Sequence, residues 1–285
     1  MRGLPVNVAY PLTILSDLHV GHPASYLTDP EALAPLLRDT ATVVFNGDTV
    51  EMLWVGNRDR AQEQLEAISQ TCLSRGIRPV FLNGNHDPVV SSANYLDLCD
   101  GAVLVTHGDI LFHEVAPWSW EARVVGPEHT RLLKEMDEQA RTDLHERLVA
   151  AKRASLRLEM HEPRRAGRGF GGLALALWEA WPPWRALKVL YCWAKAPGLA
   201  AGLARQFRPR ARVVIIGHTH YAGVWQRSGR VVINTGSFLP FSGRSLVRVE
   251  PNRVEVWSVV PHEKEWRPGH VLWSEEVRPL EKALT

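Results

Sequence analysis

The chain has 285 residues, 45% of them hydrophobic and 22% charged, and a formal net charge of +2. That length buries a sizeable core as one large domain or two small ones, and the composition is that of a globular protein rather than a disordered or fibrous one. The near-balanced charge argues against a general nucleic-acid binder, and Cys72, Cys99 and Cys192 match no disulfide, zinc or redox spacing.

Taken in order, Leu12–Leu15, Thr42–Phe45, Pro79–Leu82 and Ala102–Val105 read as short buried strands. Between them, Pro30–Arg38 and Asn57–Ser74 read as helices, the second ending before Gly76. Strands alternating with helices predict an α/β sheet. From residue 115 the texture changes. Leu132, Leu133, Met136, Ala140, Leu144 and Leu148 recur at the spacing of an amphipathic helix. His161–Gly172, rich in Arg, Gly and Pro, reads as a loop, and a Trp-rich stretch runs from Leu173 to about Phe207. Strands return at Arg212–Ile216, Val231–Asn234, Leu246–Glu250 and Val254–Val259. The last three are close together and are expected to form an antiparallel meander. Residues 1–114 and 212–285 are thus expected to form one α/β (α+β) core, with 115–211 as a helical insertion.

The chemistry-bearing residues follow the strands. Ser16-Asp17-Leu18-His19 follows the first strand, Asn46-Gly47-Asp48 the second, and Asn83-Gly84-Asn85-His86-Asp87 the third. Thr106-His107-Gly108-Asp109 follows the fourth, and Gly217-His218-Thr219-His220 follows the strand at 212–216. The C-terminal ends of strands in an α/β sheet face a common crevice, so these groups can converge. Carboxylate, imidazole and amide oxygen together suit Mn²⁺, with Fe and Zn²⁺ as alternatives. A carboxylate such as Asp48 can bridge two ions, and an ion pair can clamp an in-line displacement at phosphorus. Singly, each group is an ordinary turn or cap; five at successive strand ends point to one metal site.

The ordered series Asp17-x-His19, Gly47-Asp48, Gly84-Asn85-His86-Asp87, His107-Gly108-Asp109 and Gly217-His218-x-His220 resembles the calcineurin-like metallophosphoesterase family. The resemblance covers roughly residues 10–114 and 212–260. It implies a two-sheet sandwich flanked by helices and a dinuclear phosphoester hydrolase. Asp17, His19 and His220 would hold one divalent ion, Asn85, His107 and His218 the other, and Asp48 would bridge them. His86 would protonate the leaving oxygen or stabilise the transition state, and Asp87 would orient His86. Water activated by coordination would be the nucleophile. For Asp109 the resemblance leaves an outer hydrogen bond or no role, and Asn234-Thr235-Gly236-Ser237 would shape the rim. Of the remaining histidines, His22 and His113 lie near motifs and are candidates to touch substrate.

Six of the eleven tryptophans, Trp118, Trp120, Trp178, Trp181, Trp184 and Trp193, lie in the insertion, near Arg185, Lys188 and Lys195. They either pack the insertion against the core or meet a lipid or membrane surface. A helical lid, together with Glu51 in Gly47-Asp48-Thr49-Val50-Glu51, is also similar to the UDP-2,3-diacylglucosamine pyrophosphatase branch, although that branch carries Arg where this chain has His86. A lipid-linked phosphoester or pyrophosphate is therefore one substrate expectation. Alternatives are a soluble nucleotide or phosphoprotein substrate, and a non-catalytic scaffold such as the retromer subunit that resembles this family. No apolar run reaches the roughly 18 residues of a membrane span, and the N-terminus lacks a leader pattern. The expected location is the cytoplasm, with peripheral contact at the inner membrane face through 173–211.

Overall fold

The computed structural model describes residues 7–158, 183–240 and 242–278. Its strands are β1 Leu12–Leu15, β2 Thr42–Asn46, β3 Arg78–Leu82, β4 Tyr95–Leu98, β5 Val103–Thr106, β6 Val213–Ile216, β7 Gly223–Arg227, β8 Arg230–Asn234, β9 Ser245–Glu250, β10 Arg253–His262 and β11 Glu265–Glu276. Its helices are α1 Arg58–Leu73, α2 Ala122–Glu135, α3 Glu138–Arg141, α4 Leu144–Ser155 and α5 Pro183–Phe207. The strands form two sheets, ordered β11-β10-β9-β1-β2-β3 and β4-β5-β6-β8-β7.

Side-chain alternation decides how the sheets stack. Leu12, Ile14 and Val44 on the first sheet meet Val103, Val105, Val213, Ile215, Val231 and Ile233 on the second in one buried cluster. The opposite face of the first sheet places Val43 and Phe45 against Leu33, Leu36, Ala61, Leu65 and Ile68. The opposite face of the second places Leu104, Val214 and Ile216 against Leu144, Leu148, Ala200 and Ala204. The fold is a two-sheet α/β sandwich flanked by helices. Because the inner strands are covered on both faces, they read in sequence as unbroken apolar runs.

Several expectations need correction. Pro30–Leu37 is a 3-10 helix, and the ring of Pro35 inside it would clash with the carbonyl four residues back in an α-helix. The single helix expected through Leu132–Leu148 is three. Asp137 accepts the Ala140 N–H, and Asp143 accepts those of His145 and Glu146, so each aspartate caps a new start. The strand at 231–234 does not join the C-terminal meander. It pairs parallel to β6 and antiparallel to β7 in the second sheet, and the meander is β9-β10-β11. β4, β7 and β11 went unforeseen. Each lies at a sheet edge, where one unpaired side lets polar residues in and weakens the apolar signal.

The insertion is rooted in the fold. Leu144 and Leu148 of α4 and Ala200, Ala201 and Ala204 of α5 pack on the outer face of the second sheet. Lys152 of α4 donates to Asp109 Oδ2 at 2.7 Å, with both groups buried. Burial opposes the Asp109 charge, but Lys152 outweighs it and holds the carboxyl below its ordinary range. Removing one partner of a buried pair strands the other, at a cost of about 3–5 kcal/mol. Lys152→Met is expected to lower the unfolding free energy measured by urea titration by that amount, and a second change, Asp109→Asn, to recover most of it. A single variant as stable as the parent would show that this pair anchors nothing. The expected 161–172 loop, Trp178 and Trp181 lie outside the described residues. No helix among the described residues is long and apolar enough to cross a membrane.

Candidate metal centre

Each seated group occupies a backbone turn that the strand ends create. Asp17, His19, Asp48, His218 and His220 all have positive φ, between 47° and 67°. A non-glycine residue there costs about 1–3 kcal/mol, and such strain collects at functional sites. Five strained residues converging on one point are not explained as ordinary turns. Two glycines make the close approach possible. A Cβ at Gly84 would collide with the Asp48 carboxylate, and one at Gly217 with that of Asp17.

The groups come together as follows. Asp17, His19, Asp48 and His220 bring one possible ligand atom each within 4.8 Å of one another, and so do Asp48, His107 and His218. Asp48 belongs to both sets. Its Oδ2 lies 3.3 Å from His107 Nε2 and 3.9 Å from His19 Nε2. Asn85 Oδ1 lies 3.2 Å from His107 Nε2. All seven residues singled out as ligands from the sequence are therefore in or beside these two sets.

The outer contacts fix which nitrogen each imidazole presents. His19 Nδ1 donates to Glu51 Oε1 at 2.7 Å, and His107 Nδ1 donates to the Asn46 carbonyl at 2.9 Å. His218 Nε2 donates to the Val115 carbonyl at 2.8 Å. In each ring the second nitrogen is left to offer a lone pair, the usual arrangement around a metal-binding histidine. His19 Nε2 then faces His220 Nε2 at 3.2 Å. Two lone pairs at that distance repel unless a proton or a cation lies between them. Asp17 is held by the His218 N–H at 3.0 Å and by Ser16 Oγ, and Ser16 in turn contacts Thr235 Oγ1 at 2.6 Å.

The electrostatics agree. Burial works against an imidazolium at His107, but Asp48 outweighs it and pushes the group up to about 9. At His218 burial dominates, followed by His107, and the group falls to about 4. Asp48 is buried, yet His107 and His86 hold it well below the carboxylate range. The Asp48 charge that favours a proton on His107 would equally favour a divalent cation, which would displace that proton. The oxygen and nitrogen donor set fits two such ions.

The role expected for Asp87 is corrected. Its carboxylate does not orient His86. Oδ1 accepts the N–H groups of Asp48 and Gly84 at 2.9 and 2.8 Å, and Oδ2 accepts that of Thr49 at 2.7 Å. Asp87 therefore ties the Gly84 turn to the Asp48 turn. His86 Nδ1 instead donates to Glu51 Oε2 at 2.7 Å. Glu51 is fully buried and holds His19 with one oxygen and His86 with the other. Burial opposes protonation of His86, but Glu51 and then Asp48 push it up to about 10. Glu51 was visible in the sequence three residues after Asp48, without a sign of what it would touch.

The other expectations sort by position. Asn234 Nδ2 donates to the Gly217 carbonyl at 2.8 Å and Ser237 Oγ to that of Asp17 at 3.0 Å, so this segment braces both ligand turns. His22 packs against Trp54 at 5.4 Å and lies 6.2 Å from His19. His113 is exposed and pairs with Thr130. Two tryptophans of the insertion touch the ligand loop. The Trp118 ring lies 5.2 Å from His218, and Trp193 Nε1 donates to the Thr219 carbonyl at 2.7 Å.

Fold and site together define a two-sheet α/β protein with a cluster of carboxylates and imidazoles that could hold metal ions. The chain matches no protein-family model, and no curated protein matches it in sequence. Among solved structures it is similar to Vacuolar Protein Sorting 29 from Cryptosporidium parvum, at 13% identity over 97% of this chain and 100% of that one, with a TM-score of 0.43. It is also similar to a dimetal phosphatase from Danio rerio, at 13% identity over 88% and 96% of the two chains, TM-score 0.40. A third is a conserved uncharacterized protein, a predicted phosphoesterase, from Streptococcus pneumoniae TIGR4, at 12% identity over 90% and 95%, TM-score 0.37. At this identity and overlap no activity carries over to this chain.

Proposed function

We propose that the chain is a dinuclear metal-dependent phosphoesterase, cleaving a phosphoester or pyrophosphate bond. The observation that supports this is the pair of ligand sets sharing Asp48, with the imidazoles of His19, His107 and His218 locked by hydrogen bonds on their far nitrogens. Asp17, His19 and His220 would hold one ion, Asn85, His107 and His218 the other, and Asp48 both. Mn²⁺ suits this mixture of carboxylate, amide and imidazole donors, with Fe and Zn²⁺ next. Bound there, the ions would polarise the phosphoryl oxygens and lower the pKa of attacking water.

The chain's own residues do the rest. His86 is partly open to solvent, while its Nδ1 is fixed by Glu51. Its Nε2 is left to hold a proton for the leaving oxygen. The same Glu51 carboxylate sets the ring of His19, so the acid and a ligand share one support. Asp87 keeps the turns bearing Asp48 and Asn85 in register through the backbone N–H groups of Asp48, Thr49, Val50 and Gly84.

Metal analysis of the purified protein is expected to find close to two transition-metal equivalents. Mn²⁺-loaded protein should hydrolyse phosphomonoesters, phosphodiesters or lipid-linked pyrophosphates, and the ranking of the three names the substrate class. Metal-free protein with unchanged phosphoesterase activity would overturn the proposal.

A further inference from the structure

The strongest feature outside the metal centre is one face of α5. Trp184, Leu187, Leu190 and Tyr191 are 44%, 66%, 54% and 59% exposed. At about 100° per residue they fall within roughly a third of the helix circumference. The opposite face is used up: Cys192 and Ala196 pack on Phe112, and Ala200 and Ala204 pack on the second sheet. The exposed stripe continues onto α2. The Trp120 ring meets that of Trp184 at 6.0 Å, and Trp120 and Val124 are themselves half exposed. Single exposed apolar residues need no explanation, but a contiguous patch of this kind marks an interaction surface.

Charge says what the surface fits. Lys188 lies over the Trp184 ring at 5.4 Å, Lys195 over Tyr191 at 5.7 Å, and Arg123 over Trp120 at 5.6 Å. α5 carries Arg185, Lys188, Lys195 and Arg205 and contains no Asp or Glu along its 25 residues. A second copy docked through this helix would bring cations near cations, with no carboxylate on the helix to pair them. An anionic lipid surface meets both halves of the pattern. The aromatic and leucine side chains enter the boundary between headgroups and acyl chains, and the lysines meet the phosphates.

We infer that the exposed face of α5, continued by Trp120 and Val124, docks the protein on an anionic membrane surface. The inner side of the same helix holds the Thr219 carbonyl through Trp193, so docking would set the His218–His220 turn behind α5, about one helix diameter from the lipid boundary. The inference stands whether or not the metal centre hydrolyses phosphoesters, and its test reads binding alone.

The test is vesicle cosedimentation with the full chain. Vesicles of phosphatidylglycerol and phosphatidylcholine are compared with phosphatidylcholine alone. The parent should sediment with the anionic vesicles, less so as salt is raised, and little with the neutral ones. Leu187→Glu with Leu190→Glu should weaken that binding by about tenfold or more, as should Lys188→Glu with Lys195→Glu to a smaller extent. These side chains face solvent, and an unchanged melting temperature will show that the fold is kept. Tryptophan fluorescence should be quenched by brominated lipid in the parent and spared in the leucine variant. Three results overturn the inference: no binding of the parent to anionic vesicles, equal binding by the leucine variant, or a parent dimer that the leucine variant converts to monomer without any vesicle binding. Fluorescence untouched by brominated lipid overturns it too.

Discussion

Asp48→Asn is expected to remove most of the activity and at least one metal equivalent. Asp48 stands in both ligand sets, with Oδ2 at 3.3 Å from His107 Nε2 and 3.9 Å from His19 Nε2. Oδ1 accepts the His86 N–H at 2.8 Å, a contact that an amide oxygen can keep. The substitution therefore changes charge at nearly constant shape. A bound ion supplies several kcal/mol of transition-state stabilisation, and each 1.36 kcal/mol is tenfold in rate. The loss in kcat/KM should reach about 10³-fold. Stability without metal should fall at neutral pH, because the substitution strands the buried His107 imidazolium that Asp48 pairs. Two retained equivalents with parent-like rates would remove Asp48 from the centre.

The second large effect separates Glu51 from Asp87. His86→Ala should lower kcat by about 10²-fold, the scale of general acid catalysis, with both metals kept and a smaller loss for substrates with good leaving groups. Glu51→Gln should reproduce that dependence, because the carboxylate charge that faces His86 is gone. It should also weaken metal retention, because the same carboxylate fixes His19. Residues acting as one unit are not additive, so the double variant should lose little more in kcat than the worse single one. Asp87→Asn should behave differently. Its oxygens serve backbone N–H groups of the Asp48 and Gly84 turns, so stability and metal content should fall together, with no leaving-group dependence. Leaving-group dependence in Asp87→Asn but not in Glu51→Gln would reverse the assignment.

Much of this centre was legible in the chain itself. β1, β2, β5 and β6 are covered on both sides, so each shows as an apolar run. The groups after these runs had to emerge at strand ends, and the glycines at 47, 84, 108 and 217 marked the turns. The helix α1 was equally plain, since Ala61, Leu65, Ile68 and Cys72 repeat at helical spacing.

What tertiary structure alone decided are pairings between residues far apart in the chain. Asp87 is the immediate neighbour of His86, and sequence proximity favours it as the partner. The turn at Gly84 instead aims Asp87 at the Asp48 backbone and leaves His86 to Glu51, 35 residues away. Likewise nothing in the run at 230–234 says that it lies beside β6 rather than β9, since a strand buried on both faces looks the same in either sheet. The insertion's composition could not show that Val115 and Trp193 hold the two ends of the His218-Thr219 turn. Local pattern sets the period and the turns, which depend on neighbouring residues. Which side chain meets which across the sandwich depends on how the sheets and helices pack, and that is a property of the whole chain.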